Sequence, residues 1–132
     1  MKQSRKKVLV VDDDEMHLYT TKGLLQNERI EVITHQHGFG VTNLVRDARP
    51  DLILLDMNMP ALSGDRLTSL LKSNGATSGV PIVFYSSNDE DTLRQSVEKY
   101  RVQGYICKGN IADLRNKVDR YLGMAPEEAA TA

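Results

Sequence analysis

The sequence has little of what several common protein classes require. Cys107 is its only cysteine, so an internal disulfide is excluded, and a lone thiol fits a reducing cytoplasm. No apolar stretch reaches the roughly 20 residues of a membrane-spanning helix, so we expect no membrane association. Basic and acidic residues number 17 and 18 and are interspersed, giving a net charge of −1. Because that balance creates no strong field of one sign, direct binding of nucleic acid is not expected.

What the chain has is enough apolar sequence for one ordinary domain. Its 132 residues are 40% hydrophobic, which is sufficient to bury a single core without disulfides or structural metal. We expect this domain at residues 1–122, with 1–6 as a basic, solvated leader that lacks the features of a secretory signal. Residues 123–132 show no apolar periodicity, so they are predicted to form a flexible tail or the start of a linker.

Five short apolar runs alternate with five amphipathic helical patterns. The runs are rich in β-branched residues and too short for helices, which is typical of buried strands. They are Val8–Val11, Ile30–Thr34, Leu52–Leu55, Ile82–Tyr85 and Tyr105–Cys107. The helical stripes are Leu18, Thr21 and Leu25 in a helix from about 15 to 26; Val41, Leu44, Val45 and Ala48; Leu67, Leu70 and Leu71; Leu93, Val97 and Tyr100; and Ile111, Leu114, Val118, Tyr121 and Leu122.

This alternation predicts a doubly wound α/β fold. Parallel strands need crossover connections, and helices that supply those crossovers cover both faces of the sheet. In such sheets the ligand site forms beyond the carboxyl ends of the strands, near the point where strand order reverses. Residues that follow the strands are therefore the candidates for function.

Acidic, hydroxyl and basic side chains follow four of the predicted strands. Asp12 and Asp13 follow the first strand, Asp56 the third, Ser86 the fourth and Lys108 the fifth. Carboxylates brought together repel one another, so this cluster needs a metal ion, a lysine or both. Oxygen ligands favour Mg²⁺, whereas zinc would ask for histidine or cysteine. A metal ion and Lys108 could neutralise Asp56 enough for its carboxylate to accept a phosphoryl group.

Four segments around these residues resemble the receiver domains of response regulators in two-component signalling. They are VLVVDDD at 8–14, LILLDMNMPALSG at 52–64, PIVFYSS at 81–87 and GYICKG at 104–109, in the family's order and at the family's spacing. The resemblance spans residues 7–122. It implies a flavodoxin-like fold with a five-stranded parallel sheet in the order 2-1-3-4-5 and five helices on two faces.

The resemblance also implies how the acidic cluster is used. It makes Asp56 the phosphoacceptor and Mg²⁺ the cofactor. The metal ligands would be Asp12, Asp13, Asp56 and the backbone carbonyl of Asn58, with Asp13 binding directly and Asp12 mainly through water. Lys108 corresponds to the lysine that contacts the phosphoryl group.

A second group of matching residues concerns the response to phosphorylation. Ser86 corresponds to the switch hydroxyl, and Tyr105 to the aromatic residue whose rotamer follows the phosphorylation state. Pro60 and Gly64 match residues that shape the loop after the phosphoacceptor. Gly109 departs from the proline usual at its position, so the family's cis peptide is less expected there, because non-proline cis bonds cost about 3 kcal/mol.

The function that the resemblance implies is that of a regulatory phosphoacceptor, not an enzyme. The donor would be a sensor histidine kinase or a phosphotransfer protein. The output would pass to an effector protein or to an attached output domain. The face formed by the fourth helix, fifth strand and fifth helix would be the interaction surface, and a homodimer through that face is a further expectation.

Two alternatives stay open at this point. Asp12 and Asp14 after an apolar strand superficially resemble the Asp-x-Asp motif of haloacid-dehalogenase-type phosphohydrolases, which also form aspartyl phosphates. That class of enzyme would not need Asp56 in the sequence context DMNMP at positions 56–60. The chain also lacks room for the cap structure that often covers the active sites of such enzymes. The other alternative is a receiver-like module that works by docking alone, for which Gly109 is the main support.

Several residues near the site have ordinary structural interpretations. Asp14 is expected to cap the first helix, and Ser87 or Asn88 to cap the helix that begins near Asp89. Cys107 is expected to be a buried, inert thiol. No function is assigned to the three histidines, which are His17, His35 and His37.

Overall fold

The computed structural model describes residues 5–60 and 62–125, and these residues form a sheet of five strands between two layers of helices. The strands are β1 (Lys6–Val11), β2 (Ile30–His35), β3 (Leu52–Leu55), β4 (Ile82–Ser86) and β5 (Gly104–Cys107). The helices are α1 (Glu15–Leu25), α2 (Val41–Ala48), α3 (Gly64–Ser73), α4 (Glu90–Tyr100) and α5 (Ile111–Tyr121). The predicted alternation of strands and helices is confirmed.

The sheet is parallel throughout its four strand pairings, and its order is β2-β1-β3-β4-β5, as predicted. The chain leaves β1 toward β2 on one side and returns to β3 on the other side. The strand order therefore reverses between β1 and β3, which is where a doubly wound sheet opens a crevice beyond its carboxyl edge.

Alternate residues of the central strands supply two separate cores. Val8 and Val10 of β1 pack in the core beneath α1 and α5, whereas Leu9 and Val11 pack in the core beneath α2, α3 and α4. Every residue of β3 is completely buried. Each fully buried aliphatic side chain of this kind contributes about 1.5–3 kcal/mol, so the strands that carry the site residues are held firmly from both faces.

Four of the five strands are longer than their apolar runs, and β3 has the predicted bounds. β1 begins at Lys6, so this residue, which we expected in the leader, is part of the sheet, and its amide donates to the carbonyl of Arg29. β2 extends to His35 and β4 to Ser86, and α1 ends at Leu25. Polar residues at strand ends pair through their backbone alone, which an apolar pattern does not detect. Residues 1–4 of the predicted leader lie outside the described residues.

Three expectations about burial and capping were wrong. Leu70 and Ile111, which fit the helical stripes, are 50% and 55% exposed. Cys107 is half-buried and packs at the margin of the second core. The cap of α4 is Asp89, whose side chain accepts from the amide of Thr92 at 3.1 Å, instead of either residue before it. Helical spacing identifies the buried face but not its edges, which depend on how neighbouring elements pack.

The predicted tail at 123–132 lies largely outside the described residues. Within them, Met124 packs against the first core, and the carbonyl of Ala125 accepts from Arg29 at 3.0 Å. The domain boundary after residue 122 therefore stays a prediction. None of the helices in the described part of the chain has the length and apolar character needed to cross a membrane.

Candidate functional site

Three carboxylates meet at the carboxyl edge where β1 and β3 lie side by side. Asp12 and Asp13 follow β1, and Asp56 follows β3 with its amide donating to the carbonyl of Val11 at 3.0 Å. Each carboxylate offers an oxygen within 4.8 Å of the other two. The structure thus brings together the three side chains that we predicted as metal ligands, and a set of hard oxygen donors fits Mg²⁺.

Two of these carboxylates are withdrawn from solvent. Asp12 and Asp56 are 2% and 5% exposed, whereas Asp13 is half-buried. Burial raises the pKa of Asp56, and the charge of Asp12 raises it further, although the Asn58 amide and Lys108 act in the opposite direction. The cluster therefore carries an unfavourable concentration of negative charge that a bound cation would relieve.

Lys108 reaches this cluster from the end of β5. Its ammonium lies 2.7 Å from Asp12 Oδ2 and 3.4 Å from Asp56 Oδ2. Burial opposes the ammonium form, but the hydrogen bonds and charges of Asp12 and Asp56 outweigh it, so the pKa of Lys108 lies above its usual value. The lysine is therefore charged and placed to move between the two carboxylates.

The loop after Lys108 takes a form that suits its unusual glycine. Every described peptide bond is trans, including the one before Gly109. Gly109 has φ of 99°, a left-handed backbone that favours glycine over other residues. The Lys108 amide donates to the carbonyl of Ser86 at 2.9 Å, so the lysine backbone is tied to the end of β4 without a proline.

Ser86 is held on the side of the site where the loop after β3 lies. Its hydroxyl accepts from the Asn58 amide side chain at 3.2 Å and from the Asn88 backbone at 3.3 Å, and it is fully buried. The Asn58 side chain also donates to Asn88 Oδ1 at 2.6 Å, while its backbone amide donates to Asp56 Oδ1 at 3.1 Å. Sequence reasoning assigned only the Asn58 carbonyl. The signal it missed is that both asparagines stand two residues after a site residue.

The loop after Asp56 is shaped by close backbone contacts. The Gly64 amide donates to the carbonyl of Met57 at 3.2 Å, and a Cβ at Gly64 would collide with the carbonyl of Asp56. Pro60 is exposed, and its carbonyl accepts from the Leu62 amide at 2.7 Å. Glycine at position 64 is thus required so that α3 can begin directly against the phosphoacceptor candidate.

Tyr105 lies at the surface between α4 and α5. Its hydroxyl donates to Glu90 Oε2 at 2.6 Å, and this hydrogen bond raises the pKa of the phenol. The Lys117 ammonium sits 4.9 Å from the centre of the ring and donates to the Tyr105 carbonyl at 3.3 Å. The side chain predicted to change rotamer is therefore held in an outward position by one residue from each flanking helix.

Comparisons with known proteins agree with this geometry. The family model for the response regulator receiver domain matches residues 8–119. The polar-differentiation response regulator DivK of Brucella anthropi is 30% identical over 125 residues, which cover 91% of this chain and 98% of DivK. The chemotaxis protein CheY4 of Vibrio cholerae has a similar structure, with a TM-score of 0.80 at 24% identity, covering 89% of this chain and 99% of CheY4.

A second solved structure contains a metal ion. The receiver domain of the sensor histidine kinase PA1611 from Pseudomonas aeruginosa has a TM-score of 0.79 at 21% identity, covering 91% of this chain and 99% of that domain. That structure has a magnesium ion coordinated in its active-site cleft. At this identity the likeness establishes the fold.

Proposed function

The chain belongs to the response regulator receiver domain family of two-component systems. We propose that it accepts a phosphoryl group on Asp56 with Mg²⁺ bound and that this modification switches a protein-interaction surface. The observation that carries the proposal is the setting of Asp56. It is a buried carboxylate grouped with Asp12 and Asp13, and the Lys108 ammonium lies 3.4 Å from one of its oxygens. A nucleophile of this kind requires a cation on either side of the incoming phosphoryl group.

Mg²⁺ is the proposed cofactor because of the donor set. Asp12, Asp13, Asp56 and the Asn58 backbone carbonyl would hold it, and the magnesium ion in the PA1611 receiver domain supports this choice. When bound, Mg²⁺ offsets the repulsion among the carboxylates and the charge of the phosphoryl oxygens. Of the three carboxylates, Asp13 is the most exposed, and it is proposed to bind the cation directly.

The positions of Asp56, Lys108 and Ser86 support the following phosphoryl transfer. An Asp56 oxygen forms a bond to phosphorus while the bond from phosphorus to the donor nitrogen breaks, and the histidine of the donor leaves with that electron pair. Lys108 and Ser86 donate hydrogen bonds to the phosphoryl oxygens, and these charge-assisted bonds form only in the phosphorylated state. The product is an aspartyl phosphate.

The proposed output uses the rearrangement of Ser86. Its hydroxyl leaves Asn58 and Asn88 for the phosphoryl group, which vacates space behind it, and Tyr105 turns inward from Glu90. A bistable side-chain packing of this kind converts differential contacts into a population shift. The surface formed by α4, β5 and α5 changes as a result.

The partners follow from this role and are part of the proposal. A sensor histidine kinase or phosphotransfer protein would be the donor, in the cytoplasm, and an effector protein or attached output domain would receive the signal. A homodimer through the face of α4, β5 and α5 is also part of the proposal. The protein acts as a regulator, although it assists its own phosphorylation and dephosphorylation.

The structure gives the phosphohydrolase alternative no support. Its motif would require the Asp14 carboxylate in the site, but that carboxylate is exposed and accepts from the amides of Met16 and His17 at the start of α1. Asp14 is a helix cap, as expected. The docking-only alternative is not favoured either, because Lys108 and the acidic residues are all in place around Asp56.

The test is chemical modification of the purified protein. Incubation with Mg²⁺ and acetyl phosphate should add one acid-stable, base-labile phosphoryl group, detected by intact-protein mass spectrometry and located at Asp56 by peptide mapping. Asp56→Asn is the matched control and should remain unmodified. If the variant is modified as fully as the parent, Asp56 is not the phosphoacceptor.

A further inference from the structure

In the unmodified protein, Lys108 is the charged hydrogen-bond partner of the Asp12 carboxylate. Its Oδ1 accepts from the Asp14 amide at 2.9 Å, and its Oδ2 accepts from Lys108 at 2.7 Å. The side chain is 2% exposed, so water cannot easily replace either partner. A buried carboxylate that loses a charged partner is strongly disfavoured.

Phosphorylation would remove that partner. In the proposed function, on which this inference rests, Lys108 donates to the phosphoryl group on Asp56. The ammonium already lies 3.4 Å from Asp56 Oδ2, so the move toward Asp56 is short. The phosphoryl group carries more charge than a carboxylate and competes strongly for the lysine. Asp12 Oδ2 then needs another donor if it is to keep its orientation.

His17 is the side chain that lies close enough to become that donor. Its Nδ1 is 3.6 Å from Asp12 Oδ2, within ion-pair distance but too long for a hydrogen bond. That nitrogen is buried and has no hydrogen-bond partner among the described residues. Buried polar atoms without a partner are uncommon and call for an explanation. The imidazole also contacts Tyr85, whose ring centre is 6.1 Å away, so its position is defined from a second side.

We propose that His17 is a positioning residue for Asp12. When Lys108 turns to phosphorylated Asp56, the Nδ1–H of His17 donates to Asp12 Oδ2 and keeps that carboxylate directed toward the cation. Closing the gap needs a shift of less than about 1 Å, because a charge-assisted N–H···O bond has a length of about 2.7–2.9 Å. His17 thus acts through Asp12 in the phosphorylated state. In the unmodified state, Lys108 donates the hydrogen bond to Asp12 Oδ2 instead.

The direct test observes the imidazole itself. Ring nitrogen shifts of ¹⁵N-labelled protein are recorded at constant pH with Mg²⁺ alone and with Mg²⁺ and beryllofluoride, a phosphoryl mimic that binds the acceptor aspartate. The N–H at His17 Nδ1 should take the ¹⁵N shift of a hydrogen-bonded ring N–H when beryllofluoride is added. His35 and His37 are internal controls, since neither lies within ion-pair distance of Asp12. An Nδ1 shift that stays unchanged would overturn the inference.

Two variants provide an independent readout. His17→Leu keeps a side chain of similar size without a donor and should weaken beryllofluoride binding about tenfold, the loss expected for one hydrogen bond to a charged group. Mg²⁺ binding to its unmodified form should change by less than about twofold, because Lys108 still holds Asp12. His17→Asn retains a donor and should recover part of the loss. Equal weakening of both ligands in His17→Leu would indicate a merely structural role and would contradict the proposal.

Measurements on the parent protein distinguish a failure of the proposed function from a failure of this inference. Beryllofluoride binding to the parent is checked first by ¹⁹F NMR, with Asp56→Asn as the control that should not bind. A parent that does not bind beryllofluoride would overturn the proposed function and this inference together. A parent that binds, with His17 Nδ1 unchanged, would overturn this inference alone.

Discussion

Asp56 is a buried carboxylate beside the buried carboxylate of Asp12, and the single ammonium of Lys108 lies within ion-pair distance of both. Lys108 lies closer to Asp12, so Asp56 has the weaker compensation. Burial raises the pKa of Asp56, with Asp12 adding to the effect. An ionised Asp56 is therefore a local instability in the unmodified protein, and such instabilities are typical of sites kept for function.

The first prediction concerns the stability of Asp56→Asn. The ordinary aspartate pKa is 3.8, and the folded value for Asp56 lies above it, so the fold disfavours the ionised form. Below pH 3.8 the carboxyl is protonated in both the folded and the unfolded state, and no penalty exists. The penalty develops as pH rises from 3.8 to the folded pKa, is complete above the folded pKa, and persists at neutral pH. Asp56→Asn should therefore melt a few degrees higher than the parent at pH 7 in the presence of a chelator.

Melting curves from pH 4 to pH 8 measure this difference, and its pH dependence is the decisive feature. The advantage of the asparagine variant should shrink as the pH approaches 4, because the parent then regains a neutral carboxyl. Asp51→Asn is a useful control, since Asp51 is exposed and lies away from the site at the start of β3. A difference between parent and Asp56→Asn that does not vary with pH would contradict the assignment.

The second prediction concerns Mg²⁺. A cation bound among Asp12, Asp13 and Asp56 removes the repulsion described above, so Mg²⁺ should raise the melting temperature of the parent. At ten times the dissociation constant the stabilisation is about 1.4 kcal/mol. Asp13→Ala removes the more exposed ligand without disturbing the buried pair, and its melting temperature should respond little to Mg²⁺. An equal rise in Asp13→Ala would mean that the cation binds elsewhere.

Individual residues of the site differed in how far they could be predicted. Asp13, Asp56 and Lys108 were recognisable because each follows an apolar strand, and parallel strands bring such positions to one edge. The preference of Lys108 for Asp12 over Asp56 was not recognisable, since it depends on a side-chain rotamer inside the folded crevice. The hydrogen bond from the Asn58 side chain to Ser86 could not be predicted for the same reason. Such contacts join residues distant in sequence and leave no local pattern.

At the scale of elements, the helices that flank β5 carry the contacts that hold Tyr105 outward. Glu90 belongs to the first turn of α4 and accepts from the phenol, while Lys117 of α5 lies over the ring. Arg94 lies one turn after Glu90 and pairs with it at 3.8 Å. The contacts of Glu90 and Lys117 with the Tyr105 side chain must break if Tyr105 turns inward, so they stabilise its outward position.

The third prediction tests that stabilisation. Glu90→Ala removes the acceptor of the Tyr105 hydroxyl, so the inward position becomes easier to reach and beryllofluoride should bind several-fold more tightly by linkage. The pKa of Tyr105 should also fall toward its ordinary value of 10.0, because the hydrogen bond to Glu90 is what raises it. Fluorine NMR titration measures the affinity, and ¹³C-labelled tyrosine reports the pKa.

Glu98→Ala is the matched control for that experiment. Glu98 is an exposed glutamate of the same helix, and its replacement should leave both the beryllofluoride affinity and the Tyr105 pKa unchanged. If Glu90→Ala lowers the pKa but leaves the affinity at the parental level, the outward position of Tyr105 is not linked to the state of Asp56.

The elements themselves were largely predictable, and their margins were not. The five apolar runs located every strand to within two residues, because strands buried on both faces show continuous apolar sequence. Ser87 and Asn88 were plausible caps for α4, but the cap is Asp89, whose side chain accepts a hydrogen bond from the Thr92 amide. Leu70 and Ile111 have the spacing of buried residues and are exposed. In each case the local pattern allowed several answers, and tertiary packing selected one.

For the whole molecule, the sheet order determines where a signal from Asp56 can go. β3, β4 and β5 lie consecutively on one side of the reversal point; Asp56 directly follows β3, Ser86 is the last residue of β4, and Lys108 directly follows β5. β2 lies on the other side of β1 and contributes none of these three residues. If the proposed function holds, a rearrangement at the site should therefore propagate toward α4, β5 and α5, whose surface combines basic and aromatic residues as protein interfaces often do. That surface includes Arg94, Lys99, Arg101 and Tyr105, whereas Tyr100 is half-buried and donates to Asp65 of α3 at 3.1 Å.

The fourth prediction follows from that asymmetry. Backbone NMR shifts recorded with Mg²⁺, before and after beryllofluoride, should change in the loops around Asp13, Asp56 and Lys108 and also along residues 91–105. Helix α2, which follows the strand at the edge of the sheet opposite β5, should stay unchanged. Tyr105→Phe should respond like the parent, because the ring can still turn inward without its hydroxyl. Tyr105→Ala removes the ring and should show the loop changes with a weaker response in residues 91–105. If the parent changes only in the three loops, the face of α4, β5 and α5 does not carry the output, since the differential contacts of Ser86 and Lys108 would then end within the site.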